Sequence, residues 1–188
     1  MGDDDPGEYP ADGNGPAHTV QLTAYAIGRH AVTNEDFAAF VAATGYRTTA
    51  EQFGASFVFA GLLPDDFPPT RGVATAPWWR EVSEANWRHP EGPHSGIEGR
   101  ERHPVVHVSW YDASAYCQWI GARLPTEAEW ECAARGGMAG QPFPWGSELE
   151  PDGTHRMNVF QGEFPLHDTA ADGWAGTCPV GTFPANGF

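Results

Sequence analysis

Apolar positions recur at helical spacing in three stretches of the chain, each preceded by a hydroxyl residue with an acid three positions on. Over 33–44, Phe37, Phe40 and Val41 share one face, Thr33 and Asp36 form a capping box, and Gly45 can take the left-handed conformation that ends a helix. Over 109–120, Ser109 and Asp112 cap a helix whose inner face is predicted to be Ala113, Tyr116, Cys117 and Ile120, closed by Gly121. Over 126–135, Thr126 and Glu129 form a third box, with Trp130, Ala133 and Ala134 as the buried face and Gly136-Gly137 as the stop. Between them lie extended signals. Val20 and Leu22 alternate with polar neighbours and lead into Tyr25 to Ile27, which predicts a first strand. The β-branched run Val105, Val106 and Val108 predicts a second, directly before Ser109.

The stretch from Tyr46 to Glu101 has no sustained period, yet it is rich in Phe and Trp, and a long structured loop of this kind tends to carry function. Within it FGASFVF, residues 53–59, can form a short strand, and Pro77-Trp78-Trp79 places two large rings at a rigid turn. Met1 to Gly15 is acidic and turn-rich and reads as an exposed loop.

Composition narrows the functional classes. With 188 residues the chain is long enough for one well-buried domain, and 23 Gly with 17 Pro means that turns dominate. A net charge of -15 with ten arginines and no lysine argues against nucleic acid as a partner, because that affinity rests on clustered positive charge. No apolar run has the length of a membrane span and the first residues lack a signal-peptide pattern, so a cytoplasmic protein without membrane contact is expected. Cys117, Cys132 and Cys178 fit neither a disulfide framework nor a CxxC motif. His89, His94, His103 and His107 have no helical ligand spacing, and a histidine zinc site is not expected from them. Asn158, Glu163, Asp168 and Asp172 offer hard oxygen donors that suit calcium, but with no EF-hand loop present a set of Asx turns is the better explanation on composition alone.

Residues 103–137, HPVVHVSWYDASAYCQWIGARLPTEAEWECAARGG, closely resemble the formylglycine-generating enzymes, or sulfatase-modifying factors, in the segments HPVVHVSW, AYCQW and RLPTEAEWE. The similarity continues through Ala76 to Trp79, Asn86 to Pro93, Phe143 to Gly146, Asn158 to Pro165 and Pro184 to Gly187. It implies an irregular, loop-rich α+β fold, distantly C-type-lectin-like, with few short strands and two or three short helices in a single incomplete domain over 1–188. It implies a complete protein that oxidises the cysteine of a sulfatase CxPxR segment, presented as unfolded polypeptide, to formylglycine with oxygen and copper(I). In that family a cysteine pair beyond the position of Phe188 does the chemistry, and a strand precedes the position of Met1. This chain is therefore expected to hold no catalytic residue and to be inactive alone. The alternative is a non-catalytic peptide- or ligand-binding module of the same fold.

The resemblance also assigns positions. Trp78, Ser56 and Phe57 fall in the region that lines the substrate cleft, with Trp78 at the place of a tryptophan that packs on a substrate proline. Ala55 stands where the family often has an acidic residue facing a substrate arginine. A structural calcium is implied at the side chains of Asn158 and Asp172 and the carbonyls of Val159 and Trp174.

Overall fold

Among the described residues, four capping boxes start four α-helices: α1 (Asn34–Thr44), α2 (Thr49–Phe53), α3 (Trp110–Trp119) and α4 (Glu127–Arg135). In each, the cap hydroxyl accepts from the N3 backbone while the N3 carboxylate accepts from the cap backbone, satisfying donors that the first turn leaves unpaired. The computed structural model of the protein describes residues 1–4, 13 and 15–188, so most of the loop expected over 1–15 lies outside the described residues. The chain forms two compact units, one of Met1–Arg29, Pro125–Arg156 and Pro184–Phe188, the other of His30–Leu124 and Met157–Phe183.

The larger unit holds a three-stranded antiparallel sheet in the order β1 (Ala55–Phe59), β3 (Ala76–Ser83), β2 (Arg71–Val73). β1 forms as expected within 53–59, but the Pro77-Trp78-Trp79 turn does not: these residues begin the central strand. A bulge between Gly72 and Val73 lies opposite Pro77, and β1 pairs only as far as Trp79. A residue without an N–H is tolerated there because the ladder is already interrupted. One core cluster joins Phe37, Phe40 and Val41 of α1 to Trp87 and to Tyr116 of α3, and a second joins Val58, Val82 and Ala85 beneath the sheet. Asp112, fully buried, links two helices. Its carboxylate accepts from Ser109 N–H at 2.7 Å, Thr49 N–H at 3.0 Å and the Tyr46 hydroxyl at 3.0 Å, so the cap of α3 also anchors the start of α2. A small ribbon, β4 (Gly162–Glu163) with β5 (His167–Asp168), lies in the same unit.

Several expectations fail for reasons of packing. Val105 to Val108 is not a strand; Pro104 makes an isolated bridge to Thr33, and His107 at φ 55° turns the chain out of extended geometry. Ile120 is 51% exposed, because the inner face of α3 is set by Asp112 and Tyr116 and the helix ends before Ile120. Among the described residues α2 is a short helix in a stretch that shows no period, beside the three whose capping boxes and apolar spacing were read from the sequence.

In the smaller unit, Glu129 and Ala133, four apart, are the buried positions of α4, which leaves Trp130 60% exposed instead of inside. Asn186 donates to the carbonyls of Ala133 and Ala134 at the end of α4, and Glu131 accepts from Gly2 N–H. No strand forms over 20–27, which finds no ladder partner among the described residues. The segment is held instead by Tyr25, whose hydroxyl donates to the Glu129 carbonyl and whose ring stacks on Phe188.

Candidate functional site

The residues assigned to a substrate cleft fall on two paired strands. Ser56 and Phe57 are in β1, and Trp78 is in β3 close to the position where Phe59 meets Trp79. Trp78 is half-buried, edge-on to Phe164 at 5.2 Å between centroids. Phe164 in turn stacks on Phe59 at 5.9 Å and meets Phe160 at 5.1 Å, while Trp79 contacts Phe59 at 6.0 Å. Five aromatic rings thus form one wall, with Phe57 beside it at 52% exposure and Phe164 at 54%. The sequence named Trp78 as a candidate but not its ring neighbours Phe160 and Phe164, which come from a distant part of the chain.

Ser56 does not project freely. Its hydroxyl lies 2.8 Å from Nδ1 of His107, whose Nε2 lies 2.8 Å from the Pro90 carbonyl. A carbonyl can only accept, so Nε2 carries the hydrogen and Nδ1 accepts from Ser56. Burial pushes the His107 imidazole below its ordinary value, outweighing the upward pull of the Pro90 carbonyl and Glu91. His107 therefore ties β1, the Pro90 loop and the approach to α3 together as a neutral group. The sequence marked it only as one of four histidines without ligand spacing, and gave no sign of this tie because it sits inside a run that reads as strand. Ala55 opens β1 opposite Ser83 and brings no carboxylate to this surface.

Asn158, Val159, Asp172 and Trp174 meet where two loops cross. Asp172 accepts from Trp174 N–H at 2.9 Å and Val159 N–H at 3.3 Å, and its own N–H donates to Gln161 Oε1 at 3.0 Å. Asn158 donates its amide to the Gly176 carbonyl at 2.7 Å, which leaves its oxygen as an acceptor. Each carboxylate oxygen of Asp172 has one lone-pair direction left over. The donor set is all oxygen and fits a hard cation. The histidines are otherwise engaged: His89 bonds to the Ser95 carbonyl and His103 to the Thr177 hydroxyl. His89 and His94 border an open cavity of about 330 Å³ with Arg88 and Glu98. Among the described residues no three His, Cys, Asp or Glu side chains are grouped to hold a metal. All three thiols are free, and burial raises that of Cys117, the opposite of what a thiolate ligand for copper(I) requires.

The family model for the sulfatase-modifying factor enzyme 1-like domain matches residues 1–188. This chain belongs to that family. It is 55% identical over 189 residues to the formylglycine-generating enzyme of Thermomonospora curvata, covering 100% of this chain and 62% of that protein. It is 52% identical over 190 residues to the formylglycine-generating enzyme of Mus musculus, covering 100% of this chain and 51% of that one. It is also 50% identical over 186 residues to the inactive C-alpha-formylglycine-generating enzyme 2 of Bos taurus, covering 98% and 60%. Among solved structures, PvdO from Pseudomonas aeruginosa is similar at a TM-score of 0.57 and 28% identity, over 92% of this chain and 54% of that one. The chain thus spans less than two thirds of the length of these relatives. The loop-rich α+β architecture is that of the sulfatase-modifying factor family, and no helix among the described residues is long and apolar enough to cross a membrane.

Proposed function

We propose that this chain is the peptide-binding part of a formylglycine-generating enzyme, whose complete form oxidises the cysteine of a sulfatase CxPxR segment to the aldehyde with oxygen and copper(I). The observation that carries this reading is the aromatic wall of Phe59, Trp78, Trp79, Phe160 and Phe164 beside Ser56 and Phe57. Aromatic faces bury a proline ring well and hold it with little loss of side-chain freedom. Copper(I) would supply oxygen activation in the complete protein. Cys117 does not suit it, and no step of that chemistry is assigned to the residues of this chain. The family resemblance further supports a calcium ion at Asn158 and Asp172 with the Val159 and Trp174 carbonyls, which would fix two irregular loops relative to each other.

The identity to the bovine protein named as inactive supports a second reading, a non-catalytic module that binds the same class of peptide. Isothermal titration of the chain with a twelve-residue CxPxR peptide tests the shared part of both readings. Saturable binding that Trp78→Ala weakens about tenfold, with the variant still folded, is expected; a folded chain that does not bind overturns both. Mass spectrometry of the same peptide after incubation with the chain, copper and oxygen should show no aldehyde above a metal-only control.

A further inference from the structure

β1 lies at the edge of the three-stranded sheet, and no described residue bonds to the outer backbone groups at its centre. Glu84 N–H donates to the Gly54 carbonyl at 2.8 Å, and the register pairs Ser56 with Val82 and Val58 with Arg80. In an antiparallel ladder bonded pairs alternate, so Ser56 and Val58 bond to β3 while Ala55, Phe57 and Phe59 turn their N–H and C=O groups away from it. Among the described residues no backbone or side-chain group bonds to the Phe57 N–H or C=O. Natural sheets blunt such an edge with charge, proline or a bulge. The other edge, β2, has a bulge and the Arg71–Glu81 ion pair. β1, reading ASFVF, has none of these.

The two faces of β1 differ as well. Val58 is buried over Val82, and Ser56 is tied to His107, so this face is closed. Phe57 and Phe59 share the other face with Trp79, at 52% exposure for Phe57 and 43% for Trp79. We propose that the free edge of β1 takes up the peptide as an added strand, bonded to the backbone of Phe57 and its neighbours, with alternate peptide side chains laid on the aromatic face. β1 itself carries no charge, but the net charge of -15 favours a segment bearing positive charge over a second copy of this chain, which the same charge repels.

This deepens the reading of a CxPxR ligand and rests on it. In a strand, a residue points both its N–H and its C=O to the same side, alternating along the chain. Proline has no N–H to give, so it belongs at a position facing away from β1. Cys, Pro and Arg of CxPxR are two apart and fall together in that set. The two x residues must then bond to the edge, and the Cys, Pro and Arg side chains share one face.

The test is a backbone N-methyl scan of a labelled CxPxR dodecapeptide against the full chain, read by fluorescence anisotropy. N-methylation at either x residue should weaken binding about tenfold, and at Cys or Arg it should change affinity by less than about twofold. Binding that responds equally at all four positions, or most at Cys and Arg, overturns strand addition while leaving the peptide-binding reading intact. No binding of the unmethylated peptide overturns both. Light scattering in parallel should find a monomer; a dimer that peptide does not dissociate assigns the edge to self-pairing and overturns the proposal.

Discussion

Replacing Asp112 by alanine is expected to be the most damaging single polar substitution in the larger unit. The carboxylate is fully buried and is the acceptor for Ser109 N–H, Thr49 N–H and the Tyr46 hydroxyl. The Thr49 hydroxyl is a fourth donor at 3.2 Å, and alanine removes the acceptor of all four in a site that cannot admit bulk water. Bonds to a charged acceptor are each worth roughly 1.5–3 kcal/mol, and part of that is offset by no longer burying the charge. The net loss is expected at about 4 kcal/mol. In a domain of ordinary stability, roughly 5–15 kcal/mol, this removes a large share and lowers Tm by about 10 °C. Asp112→Asn keeps one oxygen for Tyr46 and Thr49 but turns an amide donor toward Ser109 N–H, and should cost about 2 kcal/mol. Tyr46→Phe, which removes one bond and leaves both backbone donors satisfied, should cost about 1 kcal/mol. Urea unfolding followed by circular dichroism gives the three values as shifts in midpoint at constant slope. A loss below about 1 kcal/mol for Asp112→Ala would refute the view that this carboxylate organises the α2–α3 junction.

Stability should fall on acidification through the histidine range. Burial holds both His103 and His107 below their ordinary values, with Arg100 adding to the effect at His103. The unfolded chain then binds more protons than the folded one between those lowered values and about 6.5. The contribution is full above about pH 6.5 and is lost as pH falls through the folded values; His107→Gln should flatten the fall in urea midpoint between pH 7 and 5, and an equal slope in wild type and variant would count against it. Gly92→Ala should cost about 2 kcal/mol, because its φ is 103° and a Cβ would come 2.9 Å from Val82 Cγ1, a contact that calorimetry of the variant can check. Calcium should raise Tm, by about 2.7 kcal/mol of stabilisation at a hundredfold excess over Kd, and Asp172→Ala should abolish the rise. An identical melting curve in chelator and in excess calcium, for a chain that melts cooperatively, would remove the site.

What the sequence determined by itself was what depends on residues three or four apart. The boxes at Thr33, Ser109 and Thr126 and the left-handed glycines at 45, 121 and 136 start or end helices as read, because both partners of each contact lie within one turn. Thr48 and Glu51 carry the same signal, but α2 is only five residues and offers no apolar period to support it. The family motifs single out Trp78, Asn158 and Asp172 as candidates without any geometry, and their roles are for the peptide titration and the calcium melting curves to decide. Only the tertiary structure decided which faces were buried: Trp130 and Ile120 had the right spacing yet point to solvent, because Glu129 and Asp112 gain more from being enclosed with their partners. It also decided which extended runs became strands. Val105 to Val108 and Val20 to Ile27 have strand composition and find no ladder, whereas 76–83, which contains a proline, is the central strand since β1 and β2 pair on both its sides. A helix closes its own hydrogen bonds, but a strand is completed only by a partner, and the partner is chosen by the fold.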